Sequence, residues 1–111
     1  MKLQLNDYVN YETLVCPSCG GDNLHHGVIE TFYTNDHNAK TGDHLTIDVN
    51  GWVSKDKNIK QNPSPGRDGI LIHFTCETCP AESVLSIAQH KGNTHMVMGL
   101  INKVISYDAK S

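Results

Sequence analysis

Four cysteines stand in two identically spaced pairs, Cys16-Pro-Ser-Cys19 and Cys76-Glu-Thr-Cys79. Cysteines three positions apart aim both sulfurs at one point only where the chain turns tightly between them. Such a turn also directs backbone N–H groups at the sulfurs and offsets thiolate charge. Two pairs complete a tetrahedral thiolate shell for one divalent ion, and zinc is the expected occupant. Iron takes the same cage on ligand type alone. Four thiolates leave no coordination position for water, so the expected role is structural rather than catalytic. In the first knuckle, residues 16–20, Pro17 presets a turn dihedral and Gly20 is free to take positive φ. In the second, residues 76–80, Pro80 stands where that glycine would be. Its φ cannot become positive, so the chain must leave this turn differently. The competing arrangement is two disulfides, with three possible connectivities. The opening MKLQLNDYVNYET has no apolar stretch long enough for a signal peptide. Reduced thiols and a cytoplasmic location are therefore expected.

The remaining chemistry-bearing residues give weaker signals. His25, His26 and His73 flank the knuckles, and any of them could replace a cysteine or bond to a ligand from outside the shell. A second site from His37 and His44 lacks any fixed spacing. Glu30, Glu77 and Glu82 could act as a base near a metal, but read more simply as solvated strand and turn carboxylates. No H-E-x-x-H, G-x-S-x-G or phosphate-cradling glycine loop occurs, and no enzymatic activity is expected. Lys55, Lys57, Lys60, Arg67 and Lys91 would have to share a face to grip nucleic acid. Asp56 and Asp68 dilute the first four, Trp52 is the only aromatic near them, and the chain carries a net charge of −3. Trp52 would suit a binding anchor if exposed; the sequence favours its packing over Ile47 and Val49.

These residues need a framework. With 111 residues, of which 38% are hydrophobic, the chain reads as a single domain over 1–111 with a thin core that a metal would help to hold. No run approaches the ~20 apolar residues of a membrane span. Alternation places short strands near 2–5 and 11–16 and a longer one over 25–34, with 11–16 and 25–34 forming a first hairpin tipped by the first knuckle. In LTIDV-NG-WVSKD, Asn50-Gly51 signals a two-residue hairpin turn. That turn sets Val49 opposite Trp52 and Ile47 opposite Ser54. Residues 56–69 read as a mobile loop. ILIHFTC at 70–76 and ESVLSIAQ at 82–89 form the hairpin of the second knuckle. A strand at 94–98 and a short helix near 99–107 complete the chain. The expected fold class is mostly β: zinc-ribbon-like hairpins with an inserted third hairpin, within about 35–68, and a short C-terminal helix or strand.

CPSCG and the run NPSPGRDGILIHFTCETCPAESVLSIAQHKGNTH, with the long separation between the two pairs, resemble a group of small uncharacterised zinc-ribbon proteins of bacteria and phages. The resemblance spans most of Leu14 to His95, and the four cysteines are its firm part. It implies a zinc-binding β fold and a mobile-element origin, and no reaction. Phage proteins of this size often bind host proteins, including defence machinery. The expected function is thus a non-enzymatic, zinc-stabilised interaction module with a protein partner. The alternative is a zinc ribbon that binds nucleic acid or serves transcription.

Overall fold

The computed structural model describes residues 13–34, 41–64 and 66–101. Six strands, β1 (Leu24–Thr34), β2 (Gly42–Ile47), β3 (Val53–Asp56), β4 (Gly69–Cys76), β5 (Glu82–His90) and β6 (Asn93–Leu100), join in one antiparallel sheet of order β3-β2-β1-β4-β5-β6. The fold is mostly β, as the alternation of apolar residues dictates.

One face is a band of aliphatic side chains set by register. Ile29 of β1 pairs with Ile47 of β2 on one side and Ile72 of β4 on the other, and Ile72 in turn pairs with Leu85 of β5. One step along, Ile70 pairs with Thr31 and Ile87. Strand side chains alternate between faces with period 2, so these residues share a side. Leu85 is buried, while Ile29, Ile47, Ile70, Ile72 and Ile87 are half-buried. The opposite face carries Glu30, Phe32, His44, Leu71 and His73. Phe32 is completely buried there and its ring lies flat on the His44 imidazole, with centroids 4.6 Å apart.

Residues 57–64 return across this second face. A Cβ on Gly69 would collide with the Asn62 side chain and with Pro63, so only glycine lets the segment lie this close to β4. The Gln89 N–H of β5 donates to the Ser64 hydroxyl at 2.8 Å, and Ser64 is buried. The side chains of Asp56, Asn58 and Asn62 each accept from the backbone N–H two residues on, at 2.8, 3.1 and 2.9 Å. The stretch expected to be a mobile loop is a chain of Asx turns anchored to the sheet.

Three other expectations change. Residues 13–16, the described part of the strand expected at 11–16, take no regular structure. β1 pairs instead with β2 and β4, so among the described residues only the second knuckle tips a hairpin. The β2–β3 hairpin forms where expected but turns differently. Ile47 pairs with Val53, not Ser54. The Gly51 N–H donates to the Asp48 carbonyl at 2.9 Å, and the Asp48 and Trp52 backbones close at 3.0 Å. Gly51 has φ 88. The loop is therefore three residues with a glycine bulge. A register slip of one residue reverses which side chains share a face, so Trp52 does not pack over Ile47 and Val49. It is 76% exposed. Finally, β6 runs unbroken through Gly99 to Leu100; the rest of the helix expected near 99–107 lies almost wholly outside the described residues, as do the strand near 2–5 and His37. Among the described residues, no helix is long and apolar enough to cross a membrane.

Candidate metal centre

The four cysteines meet at one end of the sheet. β4 delivers Cys76 as its last residue, and Cys79 follows in the turn to β5. The first knuckle precedes β1, whose first residue, Leu24, pairs with Cys76. The Glu77 N–H donates to the Asn23 carbonyl at 3.1 Å, and His25 Nε2 lies 2.5 Å from a Glu77 carboxylate oxygen. These contacts set the two knuckles side by side.

Within the first knuckle the Gly20 N–H donates to the Cys16 carbonyl, and the Cys16 N–H to the Gly21 carbonyl, both at 2.8 Å. Gly20 has φ 77, the positive value expected. The Ser18 N–H points at Cys16 Sγ and the Gly21 N–H at Cys19 Sγ, each at 3.4 Å.

Sulfur geometry separates the two arrangements open to four cysteines. Cys16 and Cys79 sulfurs are 3.7 Å apart, Cys19 and Cys76 sulfurs 3.6 Å, and all four lie within 4.8 Å of one another. A disulfide requires about 2.05 Å, and all four residues are free thiols. A tetrahedron with metal–sulfur distances of about 2.3 Å has edges of about 3.8 Å. The quartet therefore has the size and donor set to hold one metal ion. Cys16 is buried, Cys76 and Cys79 are half-buried, and Cys19 is exposed.

Two residues outside the cysteine pattern shape this centre. The Thr78 hydroxyl sits 3.2 Å from both Cys19 Sγ and Cys76 Sγ. Its hydrogen bond is the largest influence on either thiol, lowering Cys19 and bringing Cys76 down to about 6. The Ala81 N–H favours the Cys79 thiolate, but desolvation and the sulfurs of Cys16, Cys19 and Cys76 outweigh it and push that thiol up to about 11. Sulfurs packed this closely cannot all ionise unaided; a cation among them removes the conflict. Gly21 is the second such residue. A Cβ there would lie 2.9 Å from Thr78 Oγ1 and 3.3 Å from Cys19 Sγ, so the knuckles approach this closely only across a glycine. Composition singles out neither residue: Thr78 is one of two variable positions inside C-x-x-C, and Gly21 reads as loop.

Five of the residues considered as alternatives have partners of their own: His25 pairs with Glu77, and His44, Glu30 and His73 meet on the sheet. Glu30, near the centre of the sheet, accepts from two imidazoles: its Oε1 lies 2.8 Å from His44 Nε2, and its Oε2 2.5 Å from His73 Nε2. The other His44 nitrogen is 3.0 Å from Asp56 Oδ1. This row, Asp56–His44–Glu30–His73, ties β3, β2, β1 and β4 together across the sheet. No sequence spacing announces it, because only the register brings the four residues into line. Lys55 and Lys57 both turn to Asp43, at 4.0 and 2.6 Å. No family model, curated protein or solved structure matches the chain.

Proposed function

We propose that the protein is a non-enzymatic interaction module whose shape is held by a structural zinc ion at Cys16, Cys19, Cys76 and Cys79, and that it binds a protein partner through the β2–β3 tip. The observation that carries this reading is the exposure of Trp52. It stands 76% exposed beside Val49 at 73% and Val53 at 59%, on a turn braced by Asp48, whose carboxylate accepts from the Asn50 and Trp52 N–H groups at 2.9 and 3.0 Å. A tryptophan presented on a braced turn suits an interface anchor. Four thiolates leave the ion no open position, which supports a structural role. A nucleic-acid partner gains less support. Lys55 and Lys57 are engaged by Asp43, and Lys55 in β3 and Lys91 at the β5–β6 turn lie at opposite edges of the sheet.

The resemblance to small zinc-ribbon proteins of bacteria and phages makes host machinery, such as a defence system, the first place to look for the partner. Affinity capture from host lysate tests the reading with two controls. Trp52→Ala should keep its metal and fold and lose the captured protein. Cys16→Ser should lose metal, fold and partner together. Capture of the same protein by Trp52→Ala would overturn the assignment of the tip. Elemental analysis finding no zinc in the purified wild type would overturn the metal.

A further inference from the structure

The two edges of the sheet are built differently. β3 is four residues long and carries Lys55 and Asp56. Short length and charge are the usual means of keeping an edge from pairing with another chain. β6, the last strand among the described residues, has neither. Its eight residues, NTHMVMGL, include no Lys, Arg, Asp, Glu or Pro, and its pairing with β5 runs from Ser83↔Leu100 to His90↔Asn93 without a bulge. Met96 and Val97 are 60% and 62% exposed in the middle of it.

We infer that β6 pairs edge to edge with β6 of a second copy of this chain, joining two sheets about a two-fold axis. The composition of the strand points to this occupant. In an antiparallel self-pair each residue meets one from the same short sequence, so a charge near the axis would face its own kind or lie diagonal to it. β6 has no Lys, Arg, Asp or Glu to conflict, and an axis at Val97 sets His95 opposite the second copy's Gly99. An axis normal to the sheet at Val97 sets Val97 against its own counterpart and Met96 against the second copy's Met98. Both contacts are apolar, and Met96 and Met98 continue the aliphatic band of Ile87 and Leu85, their partners on β5. The band then runs from one sheet into the other. Such a two-fold contact closes on itself and gives a dimer rather than a fibre. Eight residues a side is a small interface beside the roughly 1,200–2,000 Å² of a stable complex, so the dimer forms reversibly as concentration rises.

Sedimentation velocity on the full, metal-loaded chain across a concentration series tests this. The wild type should move from monomer to dimer. A Met96→Lys/Val97→Lys double variant should stay monomeric at every concentration, because like charges would meet across the axis. Val53→Lys, on the opposite edge, should dimerise like the wild type. Metal content and far-UV circular dichroism should match among all three. Should the double variant misfold, Val97→Glu alone at its exposed position makes the same test. A wild type that remains monomeric throughout, including one that pairs β6 only with a foreign strand, overturns the inference. So does a dimer that survives charge on β6 or dissolves on Val53→Lys.

Discussion

Replacing Thr78 with valine removes one hydroxyl and almost nothing else from the candidate metal centre. The side chain keeps its branching, and the residue is exposed, so no cavity forms. The hydroxyl lies 3.2 Å from two sulfurs, which invites counting two lost hydrogen bonds. A hydroxyl carries a single proton, so it donates to Cys19 or Cys76 at any moment and the loss is one bond. Removing a group that bonds to a metal ligand typically lowers metal affinity by about 10–100-fold. One shared bond at an exposed site belongs at the lower end, about tenfold. Competition against a chromogenic chelator at fixed pH measures this directly, with the metal stoichiometry unchanged. Thr78→Ser, which keeps the hydroxyl, should bind like the wild type. An unchanged affinity in Thr78→Val, or a serine variant as weak as the valine one, would refute the reasoning.

Gly21→Ala drives a Cβ against Thr78 Oγ1 and should weaken metal binding by displacing that same hydroxyl; combined with Thr78→Val its effect should therefore fall short of additive in a double-mutant cycle. Phe32→Ala empties a fully buried site and should cost about 3–5 kcal/mol in denaturant unfolding, with the His44 stacking partner lost as well. The His44 pKa is raised from 6.5: burial resists protonation, but bonds to Asp56 and Glu30 outweigh it. Because the folded value is the higher one, the stabilisation is complete below the unfolded pKa and fades as pH rises through the folded value. The stability gap between wild type and His44→Gln should therefore shrink as pH rises from the ordinary histidine value of 6.5 through the higher folded one, with the shared metal contribution cancelling in the difference; a gap that widens would contradict the sign.

Local signals were strongest where they were short in range. Alternation in ILIHFTC and ESVLSIAQ placed β4 and β5 nearly to the residue, and the identical cysteine spacings named the quartet that the sheet assembles. Asn50-Gly51 taken alone implies a β2–β3 register one residue off the one the strands adopt. Asp48 ahead of it favours the first position of a type I turn, and its bonds to the N–H groups of Asn50 and Trp52 select the longer loop. That one residue decides whether Trp52 is a packed or a presented side chain. The partner of β1 was not legible either. Adjacent segments usually pair, but setting the knuckles together demands that β1 lie on β4, far along the chain. Gly27 and Val28 accommodate this, since the β1–β4 register shifts between His26 and Ile29, a bulge that no alternation pattern encodes. The histidines could not be assigned from sequence because Glu30, His44 and His73 come from three different strands.

The β1–β4 pairing also orders events in time. β4, β5 and β6 are joined by short turns and can form as a meander from nearby residues, whereas β1 must wait for the segment through Asp68 to close before it finds its neighbour, and such distant pairings are slow. A growing chain thus presents Cys16 and Cys19 long before Cys76 and Cys79 exist to meet them. The quartet can close around an ion only once β4 has been made and has paired with β1; until then the first pair has the turn of residues 16–20 to order it.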